Sequence, residues 1–380
     1  MQSISIAKDE KTGGLHFAAG NAPAVLLHPL WLRERVTDVQ SYDPRSGQRL
    51  YETARLDPDI YIDAADLTHD GRLSLRFSDG HKSVMESEQL ACEIGLARNL
   101  ETLPEPKSWT SQTGLRPRVD WESLDDPQAL KNMLHDFLVD GYCIMENTPT
   151  ERDSLLALAG RFGFVRDTHW GQLFNVEKKP AASDIAYTDA ALGAHTDNPY
   201  REPIPGLQYL HCLENDVAGG LSTLTDGIAI AEQLRAESPE QADILERVSV
   251  RFRYEGERAI LENYGPIIER DHAGIVRRIR LSSRLDFVPA LDVKTLDLFY
   301  KGRRRLDELA NSRDYQIRFP FKKGTLLMMD NYRLLHGRTA FDGYEGRRHL
   351  QGCYTDHDGV SSLYRMLARG DRITGVLRDV

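Results

Sequence analysis

Ala194-His195-Thr196-Asp197-Asn198-Pro199-Tyr200 and, far along the chain, Asn331-Tyr332-Arg333-Leu334-Leu335-His336-Gly337-Arg338 are the stretches that the fold must bring together. In an extended segment side chains alternate, so His195 and Asp197 lie on the same side of a strand end and reach one small ion together. His336 offers a third ligand from Met328-Met329-Asp330-Asn331-Tyr332-Arg333-Leu334-Leu335-His336-Gly337, an apolar run that reads as a buried strand leaving into a turn. Two His and one carboxylate on one face of an ion leave other positions open, the arrangement of non-haem Fe(II) oxygenases. A His-x-Asp pair alone arises often by chance, and a lone His is more often a satisfied buried group than a ligand. Context changes the balance. Arg348 lies in Gly346-Arg347-Arg348-His349-Leu350-Gln351-Gly352-Cys353-Tyr354, which reads as the next strand, and there a guanidinium can hold a dicarboxylate through two parallel hydrogen bonds. An open ferrous site beside a fixed Arg suits 2-oxoglutarate, whose keto-acid end chelates iron while its distal carboxylate pairs with the guanidinium.

The chain of 380 residues is too long for one ordinary core, and two domains are expected. With 48 basic and 58 acidic residues it is mildly acidic, which argues against nucleic acid or an anionic membrane as a partner. The first residues lack the apolar core of a signal peptide, and no run reaches membrane-spanning length. Cys92, Cys143, Cys212 and Cys353 are scattered, which fits a reduced compartment better than a disulfide framework, so the protein is read as cytoplasmic.

Residues 1–105 read as a small β-rich domain, in which Arg72-Leu73-Ser74-Leu75-Arg76-Phe77-Ser78 ends in the hairpin signal Asp79-Gly80-His81. A polar, proline-containing stretch at 102–111 reads as a linker, and 112–380 as the catalytic domain. Helical spacing appears at 130–138 and 154–163, with a strand at 141–146 between them. From 185 onward short β-like runs alternate with turns, interrupted by helices at about 228–237 and 294–310. Helices followed by many strands predict an α+β fold whose strands form a double-stranded β-helix, or jelly roll.

The motifs Trp31-Leu32-Arg33-Glu34, Asp79-Gly80-His81, Ala186-Tyr187-Thr188, His195-Thr196-Asp197, Gly206-Leu207-Gln208-Tyr209-Leu210-His211-Cys212-Leu213 and Gly219-Gly220-Leu221-Ser222 occur in that order. Followed by Arg333-Leu334-Leu335-His336-Gly337-Arg338 and His349-Leu350-Gln351-Gly352-Cys353-Tyr354, they make the chain resemble the γ-butyrobetaine hydroxylase family over nearly its whole length. These are Fe(II)- and 2-oxoglutarate-dependent oxygenases related to taurine dioxygenase. The resemblance implies iron on His195, Asp197 and His336, O2 as cosubstrate, and 2-oxoglutarate on Arg348, with Ser222 and the backbone at Leu210 as weaker contacts. Ser222 reads equally as an ordinary strand hydroxyl. It also implies a homodimer and a small trimethylammonium substrate, hydroxylated as 2-oxoglutarate is converted to succinate and CO2.

A quaternary ammonium donates no hydrogen bonds, so its recognition relies on aromatic faces, each contributing about 0.5 to 2 kcal/mol. Trp170, Phe174, Tyr187 and Tyr354 match the positions where the resemblance implies such a cage; by themselves they would read as core. His169, His211 and His349 read as structural. Two departures from the family stand out. Its N-terminal domain often carries zinc on three Cys and a His; here those Cys positions are Val36, Asp38 and Ser41, only His81 remains, and no structural zinc is expected. Two Asn expected at the substrate's anionic end are Asp184 and Ser283, the latter followed by Arg284. Arg284, or Arg280 one strand repeat away, then grips the tail, while Asp184 either orients that Arg or faces solvent. Relatives act on γ-butyrobetaine, on trimethyllysine and on the phosphonate 2-(trimethylammonio)ethylphosphonate. A taurine-type sulfonate dioxygenase and a non-catalytic quaternary-ammonium-binding protein are the rival readings.

Overall fold

Alternation along the strands sets the layers of this protein, seen here in a computed structural model that describes residues 3–177, 189–217, 219–257, 259–342 and 346–370. The chain divides into two units, Met1–Leu100 and Glu101–Val380. In the first, Ile4–Lys8, Leu15–Ala19 and Val25–Leu27 form one antiparallel sheet, and Ile62–Leu67, Leu73–Phe77 and Lys82–Met85 another. Leu73, Leu75 and Phe77 alternate into a core with Leu15, Phe17 and Ile62, and Gly80 turns the expected hairpin at φ 83°. Val36 is buried in the same core. Oδ2 of Asp38 and Oγ of Ser41 lie 2.8 and 3.3 Å from Nε2 of His81, so an apolar contact, an ion-pair partner and a hydroxyl stand at the three Cys positions of the family.

The second unit is built on two facing sheets. The larger runs in the order Phe174–Glu177, Arg348–Thr355, Leu207–Asn215, Leu326–Asp330, Tyr142–Glu146 and Arg118–Asp120. The smaller has the order Leu192–His195, Leu334–Arg338, Ser222–Asp226 and Gln316–Phe319. All pairings are antiparallel except that of Arg118–Asp120 with Tyr142–Glu146. Tyr142, Ile144, Leu327 and Met329 of the larger sheet meet Leu224, Ile317, Phe319 and Leu334 of the smaller one in a shared core. Their alternate neighbours Cys143, Met145, Leu326 and Met328 point the other way, into a core with the helices Pro127–Asp140 and His357–Arg369. On the outer face of the smaller sheet, Ala194 and Leu335 pack with residues of Gly227–Glu237, Pro239–Arg247 and Val293–Asn311. This is the expected α+β double-stranded β-helix.

Local chemistry explains the helix ends. The Asp126 carboxylate accepts from the Ala129 amide at 2.9 Å, Pro127 occupies the first turn, and Gly141 closes the helix at φ 82°. Asp292 caps Val293–Asn311 in the same way. The helix expected over 154–163 stops at Ala159, with Gly160 as its cap. Pro239–Arg247 and His357–Arg369 were not expected from the pattern, although Val360, Leu363, Tyr364 and Leu367 have helical spacing. The run from Met328 to Gly337 is not one strand. It breaks at Asn331-Tyr332-Arg333, so that Leu326–Asp330 ends in the larger sheet and Leu334–Arg338 begins in the smaller.

Candidate active site

That break places His336 in mid-strand, directly across from His195 on the neighbouring antiparallel strand, with ring centroids 4.4 Å apart. Asp197 lies just beyond the strand, and the side chain of Asn331 fixes its backbone. The Asp197 amide donates to Oδ1 of Asn331 at 2.7 Å, while Nδ2 of Asn331 donates to the carbonyls of Asp197 and Pro205, each at 3.0 Å. Oδ1 of Asp197 then stands 3.4 Å from Nε2 of His195 and 3.7 Å from Nε2 of His336. One ligand atom from each of the three residues lies within 4.8 Å of the others, a set able to hold a metal ion.

The protonation states suit a cation. Nδ1 of His195 lies 2.9 Å from the Gly193 carbonyl, an acceptor only, so Nδ1 donates there and Nε2 is the nitrogen on the Asp197 side. Burial pushes His336 down to about 4, against the pull of Asp197. Burial also works to raise the Asp197 carboxyl, but His336, His195 and the Tyr354 hydroxyl outweigh it and hold it well below the usual carboxylate range. A neutral His336 beside an ionised Asp197 suits a divalent metal. The other oxygen of Asp197, Oδ2, accepts from Nε2 of Gln208 at 2.6 Å and from the Tyr354 hydroxyl at 2.7 Å.

The triad lines a cavity of about 100 Å³ that also includes Phe174, Leu210, Ser222, Arg338 and Arg348. Arg348 is buried, and its Nε has no partner among the described residues. Burial, reinforced by the Arg338 cation, depresses its guanidinium to about 10. A buried guanidinium whose Nε has no partner among the described residues suits an anion, and Arg348 can meet one carboxylate of a dicarboxylate in this cavity. Ser222 pairs across the strands with Arg338, and Leu210 pairs with Gly352.

The aromatic residues divide. Phe174 and Tyr354 stack with centroids 5.2 Å apart beside the triad. Gly352, opposite Phe174, leaves the space its ring fills; a Cβ there would run into it. Trp170 packs instead on His169 and Tyr254, at 3.8 and 5.7 Å, with the Arg201 guanidinium 5.6 Å from its ring. Tyr187 and Asp184 lie outside the described residues. Ser283 and Arg284 are exposed. Arg280 is buried, pairs with Glu269 at 2.7 Å and donates to the Pro266 carbonyl at 3.1 Å. His211 contacts Thr148 Oγ1 and His349 contacts Asn175 Oδ1, at 3.0 and 2.8 Å. Sequence reasoning passed over Gln208, Asn331 and Arg338. Gln208 shares the parity of Leu210, the one signal that was available; Asn331 and Arg338 follow only from the sheet switch and the strand register.

The family described as "Taurine catabolism dioxygenase TauD, TfdA family" matches residues 105–354. Gamma-butyrobetaine dioxygenase of Pseudomonas sp. (strain AK-1) is 34% identical over 347 residues, covering 90% of this chain and 91% of that protein. Gamma-butyrobetaine dioxygenase of Pongo abelii is 30% identical, covering 90% and 91%. Mitochondrial trimethyllysine dioxygenase of Gallus gallus is 29% identical, covering 89% and 82%.

Proposed function

Because the chain belongs to the taurine catabolism dioxygenase TauD, TfdA family, we propose that it hydroxylates a small zwitterionic trimethylammonium compound, γ-butyrobetaine or its phosphonate analogue 2-(trimethylammonio)ethylphosphonate. It is an Fe(II)- and 2-oxoglutarate-dependent dioxygenase. The observation that carries this reading is the shared cavity: three convergent metal-ligand side chains at one wall and Arg348, buried without a partner for its Nε among the described residues, at another. The names of the relatives support the substrate class, since gamma-butyrobetaine dioxygenases and a trimethyllysine dioxygenase align over most of the chain. A cytoplasmic homodimer is proposed on the family resemblance.

Iron with 2-oxoglutarate and O2 supplies an oxidant strong enough to cleave an aliphatic C–H bond. The residues of this chain supply position. His195, Asp197 and His336 hold the metal, and Arg348, with Ser222 beside it, receives the distal carboxylate. The Phe174–Tyr354 stack offers aromatic faces to the ammonium end, joined in this proposal by Tyr187. For the tail, Arg280 is taken by Glu269, which leaves Arg284 of that pair, at the exposed rim, to meet it. Held at both ends, one C–H bond is kept next to the metal, which is the protein's contribution to rate.

The test is succinate formation in the Fe(II)-loaded enzyme with γ-butyrobetaine, the phosphonate analogue or taurine. Either trimethylammonium compound should drive it. Turnover with taurine alone would establish the sulfonate reading instead, and binding without succinate would establish a non-catalytic binder. His195→Ala, Asp197→Ala and His336→Ala should each abolish succinate formation while the melting transition persists. Full turnover in any of the three would remove that residue from the metal site.

A further inference from the structure

The edge strand Leu192–His195 carries one residue more than the neighbour it pairs with. Leu192 stands opposite Arg338 and His195 opposite His336, so three steps along one strand meet two along the other, a β-bulge. In an unbroken antiparallel register continuing from Leu192 and Arg338, the partner of His195 would be Leu335. Leu335 packs with Ala194 in the outer core, whereas His336 lines the cavity. A one-residue slip exchanges the two faces of a strand, so without the bulge His195 would turn into the outer core and Ala194 would take its place at the cavity. Gly337 makes room for this arrangement, since a Cβ there would run into the Leu192 carbonyl.

A bulge leaves a backbone group outside the ladder, and here a side chain from another element meets it. The Ala194 amide donates to Oδ1 of Asn311 at 3.0 Å. Asn311 is the last residue of the helix Val293–Asn311, and its Nδ2 donates to the Asp307 carbonyl at 2.9 Å, which keeps Oδ1 toward the strand. The helix end is itself tied to the smaller sheet, where Oγ1 of Thr225 donates to the Ala310 carbonyl at 2.7 Å. Beyond His195 the chain is held by other groups: the Thr196 amide donates to the Leu281 carbonyl at 3.0 Å, and the Asp197 amide to Asn331. Asn311 and Asn331 thus bracket His195 from its two sides.

We infer that Asn311 is a positioning residue for the metal: by accepting from the Ala194 amide it holds the bulge that turns His195 toward Asp197 and His336. This rests on the metal-site reading above and adds to it a residue 117 positions away from Ala194 in the chain. Asn311 acts through the backbone of the edge strand and not as a ligand. Without its Oδ1 the Ala194 amide is unpaired, and the bulged register loses the bond that distinguishes it from the regular one.

The experiment joins hydrogen exchange at the Ala194 amide in the metal-free full chain to an anaerobic Fe(II) titration. In Asn311→Leu the amide should exchange about 10-fold faster than in the wild type. Its Fe(II) affinity should fall by roughly 10- to 100-fold, the range for groups that orient metal ligands. Asn311→Asp combined with Asp307→Asn keeps an acceptor at 311 and moves the amide donor to 307, so it should restore both values. If Asn311→Leu does not fold, Asn311→Ser, too short to reach the strand, is read in the same way. Unchanged exchange or unchanged Fe(II) affinity in the Asn311 variant overturns the assignment and leaves the metal site in place. So does an equal loss in the combined variant, which would trace the effect to the helix instead of the acceptor. A wild type that binds no Fe(II) overturns the metal site and this inference together.

Discussion

The Tyr354 hydroxyl donates to Oδ2 of Asp197 at 2.7 Å, so one side chain belongs both to the aromatic stack and to the metal-ligand network. Gln208 donates to the same oxygen at 2.6 Å. With Oδ2 held twice, Oδ1 is the atom left facing His195 and His336. Burial and the adjacent Asp197 charge raise the Tyr354 phenol well above its ordinary value, so it remains a donor throughout the working pH range.

Tyr354→Phe removes this hydrogen bond and keeps the ring on Phe174. Partners of metal ligands typically tune affinity by about 10- to 100-fold, and Fe(II) binding, titrated anaerobically, should weaken by that factor. Gln208→Leu should act in the same direction. Unchanged iron affinity in both variants would show that Asp197 needs neither donor.

Arg348→Met should raise the KM for 2-oxoglutarate by about 100-fold, since it removes a bidentate charged contact. The same variant should melt at a higher temperature than the wild type when no 2-oxoglutarate is present, because it deletes a buried cation whose Nε has no partner among the described residues. Differential scanning calorimetry with and without 2-oxoglutarate reads both effects. A lower melting temperature together with normal KM would contradict the assignment.

Asp330 and His357 form a half-buried pair at 2.9 Å. Burial alone would lower the His357 pKa, but the charge and hydrogen bond of Asp330 outweigh it and raise it; for Asp330 burial acts upward, and His357 outweighs it and lowers the value. A raised histidine contributes stability in full below its unfolded value of about 6.5 and loses it as pH climbs through the folded value. A lowered aspartate contributes above about 3.9 and loses it as pH falls. The contribution of the pair is therefore greatest between about pH 4 and 6.5. In urea titrations the gap between wild type and His357→Gln should be wider at pH 5.5 than at pH 9, and an equal gap would refute the coupling.

Protein purified without added metal should contain no stoichiometric zinc, as Val36, Asp38 and Ser41 offer no thiolate around His81. Val36→Cys, Asp38→Cys and Ser41→Cys combined should bind one zinc per chain, measured by elemental analysis. One zinc in the wild type, outside the iron site, would show that His81 has other partners.

What could be read from the residues was whatever local chemistry determines. The period of two in Leu73-Ser74-Leu75-Arg76-Phe77 marks a half-buried strand without reference to any neighbour. The donor types of His195, Asp197, His336 and Arg348 name a metal and a dicarboxylate before any distance is known. The tertiary structure decided the rest. Met328 to Gly337 became two strands in different sheets because the chain crosses from one to the other at Asn331, and that crossing sets His336 across from His195. Gln208, Asn331 and Tyr354 meet Asp197 from 11, 134 and 157 residues away. Trp170 turned toward Arg201 instead of Phe174. Such encounters depend on strand register and sheet order, which arise from packing the whole core at once, so no periodicity along the chain encodes them.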